Sequence, residues 1–86
     1  MEINELTRSL EEFIESYRQD HPGFAPAESR VLPSSDVAEA LKLWLRFGPG
    51  TAEAEAARLG DELLAAARRR FPELARLKVT MRTEVF

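Results

Sequence analysis

The segment at 35–48, SDVAEALKLWLRFG, constrains the fold more than any other, because it carries more apolar surface than one side of a small core can absorb. Read as a helix over 36–47, it places Glu39, Lys42 and Arg46 at spacings of three and four, on one narrow polar strip. Val37, Leu41, Trp44 and Leu45 then form the main stripe, and Ala38, Ala40, Leu43 and Phe47 spread the apolar surface round the cylinder. Such a helix is buried on several sides, or is buried on one side and meets a partner on the other. On this reading Trp44 is core or interface, and Trp44→Ala costs ~3 to 5 kcal/mol or abolishes association.

The flanking segments supply the rest of a small domain. Ile3, Leu6, Leu10, Phe13, Ile14 and Tyr17 recur at helical spacing, which predicts an amphipathic helix over 3–19 with an acidic outer face. Glu11 and Glu15 lie one turn apart on that face, but no histidine or third carboxylate joins them at ligand spacing, so they read as solvated charge. The stretch DHPGFAPAESRVLPS at 20–34 holds three prolines and a glycine and cannot be helical throughout. A short strand over 28–32 is expected there, with Phe24 anchored in the core and His21 closing the first helix on its last carbonyls.

Ser34, Ser35 and Asp36 offer caps for the central helix, with Glu39 reaching back, and Gly48-Pro49-Gly50 ends it. Thr51 then caps a third helix over 52–70, packed through Ala52, Ala56, Leu59, Leu63, Ala67 and Phe71 and lying antiparallel to 36–47. From Leu77 the pattern alternates strictly: Leu77, Val79, Met81 and Val85 against Lys78, Thr80, Arg82 and Glu84, a half-buried strand over 77–85.

The expected fold is therefore a single α+β domain over 1–86, three helices on one face of a small antiparallel sheet. Two strands make a marginal sheet, so its completion by dimerisation is expected. Leu43, Trp44, Phe47, Met81 and Val85 are the candidate protein interface, met by a second copy or by a different protein.

The chemistry of enzymes is missing from the pattern. There is no cysteine, one histidine, no phosphate-binding glycine loop and no nucleophile or metal-ligand motif. No cofactor, metal or catalytic residue is expected. The start, MEINELTRSLEEF, is acidic and amphipathic and unlike a signal peptide, and no apolar run approaches a membrane span, so a cytoplasmic protein is expected.

Charge is unevenly placed. Residues 1–57 hold five Lys/Arg against eleven Asp/Glu, and 58–86 hold seven against four. Arg68, Arg69, Arg70, Arg76, Lys78 and Arg82 make the basic part, a candidate surface for nucleic acid or an acidic partner. The residues before the arginines, DELLAAA, are mostly apolar and lack base-reading side chains, which disfavours sequence-specific DNA binding. The leading expectation is a small non-catalytic regulatory or accessory protein that binds protein, with a nucleic-acid-binding accessory protein as the alternative.

Overall fold

Leu6, Leu10 and Ile14 step by four along the chain, and their burial on one side fixes the face of the first helix, α1, Ile3–Asp20. The computed structural model describes residues 3–33 and 40–86. Beyond α1 the order is β1 (Glu28–Pro33), β2 (Ala40–Phe47), α2 (Glu53–Arg70), a 3-10 turn (Pro72–Arg76) and β3 (Lys78–Val85). The three strands form one sheet in the order β1-β2-β3.

The central segment departs from expectation. Residues 40–47 are a strand and not the last two turns of a helix over 36–47. Leu41, Leu43, Leu45 and Phe47 point into the core while Lys42, Trp44 and Arg46 point away, an alternation of period two running through ALKLWLRF. Lys42 and Arg46, four apart, satisfy a helix and a strand alike, so these polar positions cannot separate the two readings. What decides is pairing on both sides. β2 bonds antiparallel to β1 and parallel to β3, and this burial of a central strand overrides the helix propensity of Ala, Leu, Lys and Arg. The proposed caps at Ser34, Ser35, Asp36 and Glu39 lie outside the described residues.

Three further expectations change with it. Among the described residues there are two α-helices, not three, and the sheet is mixed, not antiparallel. α2 is therefore a crossover joining parallel strands rather than the antiparallel neighbour of another helix. The third strand of the sheet lies within the chain. Gly48-Pro49-Gly50 turns β2 into α2, with the Thr51 N–H donating to the Gly48 carbonyl at 3.1 Å. Ala52 stands at the N-cap without a side-chain bond, so Thr51 is not the cap.

Elsewhere the pattern carries through. Phe24 is buried and meets Tyr17 and Phe47 edge to face at centroid distances of 5.1 and 6.3 Å. α2 packs through Ala56, Leu59, Gly60, Leu63 and Ala67, and Phe71 and Leu74 seal the core beyond its end. Val79, Met81 and Val85 on β3 are half-buried against the same core. Both helices pack on one face of the sheet, and that asymmetry places the candidate site.

Candidate functional site

With both helices on one side, the other face of the sheet is open among the described residues. Strand register orders its side chains in rows. Arg30, Trp44 and Arg82 form one row across the three strands, Leu32, Lys42 and Thr80 the next on one side, and Glu28, Arg46 and Glu84 the next on the other. Lys78, level with Ala40, extends the face beyond Lys42. This surface thus carries five cations against two carboxylates, on a chain whose net charge is -3. Positive charge is concentrated here and excess negative charge lies elsewhere.

The two carboxylates share one end. Glu28 lies 3.7 Å from both Arg30 and Arg46, and Glu84 accepts from Arg82 at 2.9 Å. Lys42 and Lys78, at the opposite end, have no ion pair among the described residues. These exposed pairs contribute little stability each. Their effect is to polarise the face, compensated at Arg46 and open at Lys42 and Lys78.

Apolar groups interleave with the charges. Trp44 is half-buried in the central strand, with the Arg30 and Arg46 guanidinium carbons each 5.8 Å from its ring. Arg46 also lies 4.3 Å from the Phe86 ring, so one guanidinium bridges two aromatics. Leu32 and Phe86, 44% and 57% exposed, are the large apolar side chains most exposed among the described residues. Leu32 sits on this open face, and Phe86 joins it through Arg46.

The expected site residues separate. Leu43 and Phe47, each 1% exposed, are core and offer no side-chain surface to a partner. Met81 and Val85 flank that core on the helix side of β3, away from Trp44. Of the six basic candidates, Lys78 and Arg82 lie on the open face, whereas Arg68, Arg69 and Arg70 occupy the last turn of α2 and Arg76 the 3-10 turn. Arg70 covers the Phe71 ring at 5.1 Å, a packing role. Arg30, Lys42, Arg46, Leu32 and Phe86 are not among the expected site residues; the signal for the first four is the alternation in 40–47 and 28–33.

The helix side carries a shallow groove between α1 and α2, lined by Tyr17, His21, Glu62 and Arg69 among others. His21 stacks on Tyr17 at 3.9 Å, and its Nδ1–H donates to the Tyr17 carbonyl at 2.9 Å. The sole histidine thus closes α1, as the sequence suggests. Burial raises the Tyr17 phenol above its ordinary pKa, Glu62 adds to the shift, and Arg69 opposes it. Arg58 bonds both Glu55 and Glu62, and its bond to Glu55 lowers the pKa of that carboxyl. Among the described residues no group of His, Asp and Glu is placed to hold a metal ion, and no helix is long and apolar enough to cross a membrane.

No family model, curated protein or solved structure matches the chain.

Proposed function

We propose that this chain is a non-catalytic interaction module, a small accessory protein whose working surface is the open face of the sheet. The observation that supports it is the row Arg30, Trp44, Arg82 set among Lys42, Lys78 and Arg46, an aromatic in a cationic field with no helix over it among the described residues. Such a surface fits an anionic macromolecule. In the helix-side groove the histidine is engaged in closing α1.

Retention on a heparin column tests the face with a generic polyanion. The chain is expected to be retained at low salt and released steeply as salt rises. Arg30→Glu/Lys42→Glu abolishes retention, while Arg68→Ala/Arg69→Ala/Arg70→Ala preserves most of it. Loss in the triple variant alone would move the surface to the end of α2.

A second reading, self-association as a homodimer, is favoured by the outer edge of β3. The Phe86 N–H donates to Phe47, so strand alternation turns the N–H and C=O groups of Val79, Met81, Thr83 and Val85 to that edge. No strand among the described residues covers them. In an antiparallel pair centred on Met81, Lys78 of one copy faces Glu84 of the other, twice by symmetry. The register predicts weaker association in Lys78→Glu and in Glu84→Lys, and recovery in the double charge swap. Light scattering across a wide concentration range reads this directly. A monomer at every concentration, or a dimer indifferent to both changes, would remove the reading.

A further inference from the structure

We infer that the occupant of the open sheet face is a single-stranded nucleic acid, with a base stacked on Trp44 and its phosphates drawn to the surrounding cations. This rests on the face being the working surface and adds the chemistry of what it binds.

Three observations narrow the partner. The first is the mixture of groups. An acidic peptide needs cations alone, whereas this face sets a tryptophan in the central strand with arginines in register on both neighbours. An aromatic plane beside guanidinium groups serves the two parts of a nucleotide, the π-face of the base and the phosphate. The second is the disposition of charge. The guanidiniums of Arg30 and Arg46 rest by the Trp44 ring while holding Glu28 at only 3.7 Å, a weak hold that a phosphate readily replaces. Turning them outward clears the ring for a base. Lys42 and Lys78, without ion pairs among the described residues, extend the phosphate track along the uncompensated end.

Shape supplies the third. A broad three-stranded face does not enter a duplex groove, which admits a helix or a two-stranded ribbon. Paired bases are also stacked on each other and cannot offer a face to Trp44. A single strand lays its bases on the sheet and leaves its phosphates to the rim. The side chains around the ring offer few fixed hydrogen-bond patterns, so sequence preference is expected to be modest.

Trp44 is the single tryptophan, so its fluorescence reports the proposed contact without a label. Titration of the folded chain with oligo-dT at low salt is expected to quench that emission, with affinity falling on a log–log salt plot with a slope of about -0.7 for each phosphate engaged. Lys42→Ala lowers the slope by about one phosphate's share. By anisotropy of a labelled oligo-dT, Trp44→Leu weakens binding roughly 5- to 100-fold, and Trp44→Phe recovers much of the loss. Circular dichroism confirms that each variant is folded, and Lys42→Ala keeps the fluorescent reporter should Trp44→Leu fail to fold. Retention on heparin without quenching by oligo-dT would overturn the stacking proposal while leaving the cationic face intact. Failure of both would remove the face as well. Equal displacement by polyglutamate would reassign the face to an acidic protein, and duplex DNA binding as tightly as oligo-dT would overturn the single-strand assignment.

Discussion

Leu43→Ala and Leu45→Ala are each expected to destabilise the chain by ~3 to 5 kcal/mol, while Trp44→Ala, between them, costs about 1 to 2 kcal/mol. Both leucines are almost fully buried in the central strand, and each substitution removes three carbon atoms from the core. Trp44 lies on the other side of the sheet, half-exposed, so its removal leaves no closed cavity. A domain of this size has a total stability of about 4 to 13 kcal/mol, so at the lower end of that range either leucine change brings it close to unfolding at room temperature. Urea denaturation reads the three values on one scale. The pattern matters more than any single cost. A helix over 36–47 would put Trp44 in the main apolar stripe with Leu41 and Leu45, so that Trp44→Ala would cost as much as the leucine changes. A sensitive Leu43 beside a tolerant Trp44 is the mark of the strand.

The same contrast shows how far the fold was legible. α1, α2 and β3 stand out because many turns or alternations repeat without ambiguity, as in Leu6, Leu10 and Ile14, or in Lys78 to Val85. Residues 40–47 do not, since Lys42 and Arg46 fit both periods and the surrounding Ala and Leu favour helix locally. What makes ALKLWLRF a strand is its position between β1 and β3, a long-range fact. Read as a helix, 40–47 leaves the sheet with two strands, which is the origin of the expected completion by a second copy.

The site suffered from the same misreading. On a helix, Trp44 joins Leu41 and Leu45 in an apolar face; on a strand, it joins Lys42 and Arg46 and leaves the core altogether. The cluster Arg68 to Arg70 is legible in the sequence because its members are consecutive, whereas Arg30, Trp44 and Arg82 are scattered in sequence and become neighbours only through strand register. A surface assembled across three strands leaves no local motif.

Gly60 carries the other large effect. It sits in the middle of α2, where glycine weakens a helix by about 1 kcal/mol relative to alanine. Propensity alone therefore predicts that Gly60→Ala stabilises. Packing predicts the opposite, because a Cβ at this position would stand 2.7 Å from Thr83 Cγ2 and 3.3 Å from Met81 Cγ. The helix approaches β3 too closely for a methyl group, and relieving the clash means rotating a β-branched side chain or moving α2 off the sheet. We expect Gly60→Ala to lose about 1 to 2 kcal/mol net, and Gly60→Val, with two further carbons and poorer helix propensity, to lose about 3 kcal/mol or more. Thr83→Ser removes the obstructing methyl. In the Gly60→Ala/Thr83→Ser double variant the helix keeps its gain and the 2.7 Å clash is removed, leaving the 3.3 Å contact with Met81, whose flexible side chain can yield, so most of the loss is recovered relative to Thr83→Ser alone. If Gly60→Ala stabilised the chain in the wild-type background, α2 would not sit this close to β3, and the parallel β2-α2-β3 packing that leaves the opposite face open would need revision.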